Sequence, residues 1–123
     1  MLAKHEHLVR EIVYSARLIQ TRGAGQSGAD FAPDTGLRAI VERKVEIIGD
    51  DLIRLRDEDR ATFLRIVGAD DLIGLRNVIA YRDDDQDDDD VSYPADRFWH
   101  DIQRAIPELL RTAERLLSQE RVV

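Results

Sequence analysis

The chain has 123 residues, of which 43% are hydrophobic, 35% charged and 6% aromatic, so it suits one soluble domain around a single core, with no length for a second. Lys and Arg number 18 against 25 Asp and Glu, a net charge of −7, and seven of those acids stand in one eight-residue run, Asp83-Asp84-Asp85-Gln86-Asp87-Asp88-Asp89-Asp90; outside it the balance is 18 to 18. Cysteine is absent, which excludes disulfides, thiolate metal ligands and a cysteine nucleophile.

The opening Met1-Leu2-Ala3-Lys4-His5-Glu6-His7 meets charge before any apolar run, unlike a secretory leader, and no stretch approaches the ~20 apolar residues of a membrane span. A cytoplasmic protein with no membrane partner is the expectation. His5 and His7 are two apart and point to different helix faces, so they read as a frayed terminus and not as a metal pair. From Leu8 the residues Val9, Ile12, Val13, Ala16 and Ile19 recur at helical spacing, predicting an amphipathic helix of about five turns that stops at Gly23. Residues 23–30 carry three glycines and read as a loop; with no strand before it, the loop lacks the context of a phosphate cradle.

Pro33-Asp34-Thr35 starts a second helix with the stripe Leu37, Val41, Val45, Ile48, Leu52 and Leu55, expected to be the longest buried element. Gly49 interrupts it at a cost of about 1 kcal/mol relative to Ala, for which the close approach of another helix is a reason. A short helix is predicted over Ala61 to Val67 and ends at Gly68. A fourth starts near Asp70, with Leu72, Leu75 and Ile79 inward, and runs into the aspartates. Pro94 and Asp96 mark a restart with the stripe Phe98, Ile102, Ile106, Leu109, Ala113 and Leu116; Pro107 inside it predicts a kink or break near Gln103 to Pro107. No period-2 strand appears, so the fold expected is an all-α antiparallel bundle of four to five helices in one domain.

Asp71-Leu72-Ile73-Gly74-Leu75-Arg76-Asn77-Val78-Ile79-Ala80-Tyr81, followed by Phe98-Trp99 and by Ile102 to Leu109 with Pro107, resembles the HepT-like branch of the HEPN superfamily. These are small all-helical toxins whose hallmark is Gly-x-Arg-Asn, a His five residues after the Arg and a Tyr two after the His. Ala39 to Gly49 is also similar to that family's second helix, and the resemblance covers residues 8 to 118. It implies a homodimer in which the Arg-Asn and His of both subunits form a metal-independent ribonuclease site, with no cofactor, and a minimal nucleotidyltransferase as antitoxin partner.

Carried over by position, Arg76 and Asn77 match, whereas Tyr81 stands where the histidine is expected and Asp83 where the tyrosine is. The departure is chemical. Metal-free RNA cleavage needs a group near pKa 7 to move the 2′-hydroxyl proton and a cation to hold the phosphate; Arg suits the second task, but Tyr, near 10, is a poor base at neutral pH. The candidate catalytic set is therefore Arg76, Asn77 and Tyr81, with His100, beside Trp99, as a surrogate across the bundle or a dimer. Without the resemblance, Arg76 reads as a surface ion-pair partner, Asn77 as a solvated residue and Tyr81 as a packing residue with its hydroxyl at the rim.

Two functions stay open: a HepT-like toxin component with a degenerate ribonuclease site, or a non-catalytic interaction module that binds a nucleotidyltransferase or a nucleotide. In the aspartate run, Asp83, Asp85, Asp87 and Asp89 alternate as in a calcium loop, but Asp88 takes the place of the turn glycine and Pro94 that of the distal glutamate. A self-repelling, mobile acidic loop over 83–91 is the expectation.

Overall fold

The computed structural model describes residues 1–85 and 93–121. Among them no strand forms. Four long helices, α1 (Ala3–Gly23), α3 (Thr35–Glu58), α5 (Ala69–Asp85) and α6 (Ala95–Arg121), are joined with two single-turn helices, α2 (Gly28–Phe31) and α4 (Arg60–Phe63). Every residue of the predicted stripes is buried: Leu8 to Ile19 on α1, Leu37 to Leu55 on α3, Leu72, Leu75 and Ile79 on α5, and Phe98 to Leu116 on α6. Each Leu, Ile or Val so removed from water contributes about 1.5–3 kcal/mol, and this burial is what drives the helices together.

The packing is antiparallel. Tyr14 of α1 meets Lys44 of α3 while His5 meets Glu58; Arg76 of α5 meets Asp50 of α3 while Arg82 meets Glu42; Gly23 of α1 lies against Trp99 of α6 while Arg17 meets Glu114. The result is an all-α bundle in which α3 packs between α1 and α5 and α6 packs on α1.

Several boundaries differ from the sequence reading. Helix α1 begins at Ala3, not Leu8, and His5 is buried, 3% exposed, with its ring nitrogens 3.4 Å from Glu58 and Asp59, so the segment around it is no frayed end. The Gly-rich loop shortens because Ser27 and Asp30 form a reciprocal cap that starts the turn α2. Phe31 then stacks on Trp99 at 4.8 Å, and the Trp99 indole N–H donates to the Gln26 carbonyl at 2.9 Å. The predicted helix over Ala61 to Val67 reduces to α4: Asp59 caps its start, the chain beyond Phe63 continues in tighter turns, and Gly68 at φ +82° ends the segment. The longest helix is α6, 27 residues against 24 for α3. It runs unbroken through Pro107, which is exposed together with Gln103, so the face where the ladder loses a bond is the solvent face. Helix α5 continues through Asp85, and the rest of the expected acidic loop, 86–91, lies outside the described residues.

Candidate functional site

Gly49 sets the site's geometry. It is buried in the middle of α3, and a Cβ placed there would lie 2.5 Å from Arg76 Cγ and closer still to Arg76 Cβ, well inside ordinary contact. Helices α3 and α5 therefore touch at this point, and the stem of Arg76 crosses α3 where only a hydrogen projects. This is the close approach that a glycine within a helical stripe suggests.

Across Gly49 the Arg76 guanidinium is held by two partners. Nε donates to Asp50 Oδ1 at 2.9 Å, and Nη1 donates to Asn77 Oδ1 at 3.2 Å. The Arg76 side chain is 33% and the Asp50 side chain 57% exposed, so the ion pair stands at the rim, where such pairs contribute up to about 1 kcal/mol. A guanidinium carries five N–H donors. With one given to Asp50 and one to Asn77, three remain to receive an anion, and the fixed stem determines where they stand.

Asn77 and Tyr81 are four residues apart on α5 and share one helix face. Tyr81 is 71% exposed, so it is not the packing residue of the plainer reading, and its phenol stands on the outward surface of α5. His100 is exposed on α6 and, among the described residues, makes no hydrogen bond or ion pair with Arg76, Asn77 or Tyr81. The site as folded thus unites Arg76 with Asn77, puts Tyr81 on the helix face of Asn77 while Arg76 turns toward α3, and includes no histidine among the described residues. Among the described residues no group of His, Asp or Glu is arranged to hold a metal ion.

Two further contacts hold α5 in place. Arg82 Nη2 donates to Glu42 Oε1 at 2.9 Å, and the same guanidinium lies 5.7 Å from the Phe98 ring, tying α5 to α3 and α6. One residue after Asp50, the buried Asp51 carboxyl faces Glu11 of α1. Burial first, and then the neighbouring Glu11 carboxyl and the charge of Asp50, push Asp51 up to about 8.

The residue that sequence reasoning missed is Asp50. It lies 26 positions from Arg76, and nothing local to either residue announces the pair; only the Gly49 beside it marked that part of α3 as a contact point. Compared with known proteins, the chain matches no family model, no curated protein and no solved structure.

Proposed function

We propose that the chain is a HepT-like protein of the HEPN type, the toxin-side member of a toxin–antitoxin pair. Its Arg76–Asn77 site binds RNA phosphate across a dimer but lacks an effective group to move the 2′-hydroxyl proton. The observation that supports this best is the Arg76 arrangement. A glycine in α3 and a carboxylate beside it hold one arginine at the surface with donors to spare, next to an asparagine, which is what a phosphate-binding group requires and more than a stray surface ion pair needs. The exposed phenol of Tyr81, one turn on from Asn77, is the remaining candidate for the missing proton-transfer role.

Cleavage of a labelled oligoribonucleotide without added metal tests the reading. The protein as it stands cleaves near background, Tyr81→His raises the rate by an amount of the order of the 10²–10⁴-fold that a general acid–base group contributes, and adding Arg76→Ala removes the gain. Strong cleavage by the unaltered protein that survives Arg76→Ala contradicts both the roles and the family assignment. The pairing of Arg76 with Asp50 favours one alternative, an interaction module that binds a nucleotidyltransferase or a nucleotide without catalysis. Expression of Tyr81→His in a bacterial host separates the two, since growth arrest by the restored site belongs only to the toxin.

A further inference from the structure

An open groove of about 530 Å³ lies between helices α5 and α6. It is lined by the apolar Leu75, Val78 and Ala105 and by Asp70 and Asp71 from the start of α5 and Asp101 from α6, with Arg104 the one cation among the described lining residues. Asp101 is already engaged: the Tyr93 hydroxyl donates to it, and Arg97, which lies over the Tyr93 ring, is 4.0 Å away. Asp70 and Asp71 are exposed and stand in no ion pair with any described residue.

Gly74 adds an independent feature. It lines this groove in the interior of α5, and a Cβ there would meet nothing within 4 Å, so no contact with the described residues accounts for a residue that costs the helix about 1 kcal/mol relative to Ala. A bare helix backbone beside an open channel lets another backbone come close. Arg76 turns the other way, toward α3, while Tyr81, seven residues on from Gly74, shares the groove's helix face.

We propose that the α5–α6 groove is a docking site for a basic amphipathic helix of a partner protein, whose small or apolar residues pack over Gly74 and Val78 while its Lys and Arg side chains reach Asp70 and Asp71. Charge complementarity selects this occupant. A second copy of the chain meeting the groove through a two-fold axis would set carboxylates against carboxylates, because an isologous contact pairs each patch with itself. The inference needs no RNA chemistry and stands apart from the Arg76 reading.

The test uses the full chain and a synthetic peptide of about 15 residues, long enough to form a helix, with Ala and Leu at i, i+4 and i+7 and Lys or Arg on both flanks. Expected are binding that weakens with salt, at least about tenfold weaker binding to Gly74→Leu, and a smaller loss with a flatter salt dependence for Asp71→Asn. The Gly74→Leu protein itself melts no lower than the parent, since its new side chain projects into open space. Equal binding to Gly74→Leu would place the peptide elsewhere, on the aspartate run for example, and overturn the proposal. Equal binding of the same peptide with Glu in place of Lys and Arg, spermine binding that is lost in Gly74→Leu without any peptide binding, or a change of oligomeric state caused by Gly74→Leu would each overturn it as well.

Discussion

Two glycines on facing helices allow the packing at the candidate site to be measured against a built-in control. Gly49 and Gly74 both lie in helix interiors, so Gly→Ala at either position gains about 1 kcal/mol of helix propensity. At Gly74 the new methyl meets nothing within 4 Å and the gain is kept. At Gly49 the methyl would sit 2.5 Å from Arg76 Cγ and nearer to Arg76 Cβ, whereas ordinary contact begins at 3.4 Å. Because the nearest atom is rooted on the α5 backbone, no rotation of the Arg76 side chain relieves the overlap, and α5 itself must move by about an ångström, at the upper end of the 1–3 kcal/mol that overpacking costs. The balance is a net loss of about 2 kcal/mol for Gly49→Ala against a gain of about 1 kcal/mol for Gly74→Ala. For a domain of this size 1 kcal/mol is worth about 4 °C, so the two variants should melt roughly 12 °C apart, on opposite sides of the parent. Thermal unfolding followed by circular dichroism, with urea titration for the free energies, reads this directly. A Gly49→Ala protein as stable as Gly74→Ala would show that α3 and α5 do not meet at Gly49 and would remove the basis for holding Arg76 there.

The buried acid Asp51 predicts a pH dependence. Its folded pKa of about 8 lies above the ordinary value of 3.8, so the folded state binds the proton more tightly and stability falls as pH rises through that window; Asp51→Asn, which resembles the protonated acid, should flatten this slope in Tm measured across pH. Glu58 works in the opposite sense: hydrogen bonds first from Arg54 and then from Lys4 lower it to about 2 from 4.5, so its contribution is lost only as pH falls through that range, and in Arg54→Ala the acid decline should be smaller and should end at higher pH. The proposed two-fold site predicts a dimer by sedimentation at micromolar concentration, and a monomer there would contradict it.

How much of this was readable beforehand divides along a physical line. The helices were legible because burial imposes a 3.6-residue period, and the stripes from Leu37 to Leu55 and from Phe98 to Leu116 are the core. Gly49 was legible for a related reason, since a helix keeps a costly glycine where a neighbour needs the space. Features decided by tertiary contact were not. His5 looked like part of a loose end, but it is buried between Glu58 and Asp59 at the turn after α3. The turn at Gly28–Phe31 carried its own signal in the Ser27 and Asp30 cap, which the glycines around it obscured. Pro107 did not break α6, because a proline on the exposed side of a helix packed along its whole other face costs less than losing that packing. At the candidate site, Arg76 and Asn77 could be picked out as a pair, but Asp50 could not, since an ion pair between two helices leaves no local pattern in either.

Arg76 is proposed as a phosphate-binding group restrained by Asp50. The most direct test is the affinity of a fluorescent oligoribonucleotide, followed by anisotropy at low salt, for the parent, Arg76→Ala and Asp50→Asn. Removing the cation should weaken binding by about tenfold or more, and neutralising the competing carboxylate should tighten it severalfold, since each charge changed next to a phosphate acts directly on affinity. Equal affinity in all three proteins would contradict the account.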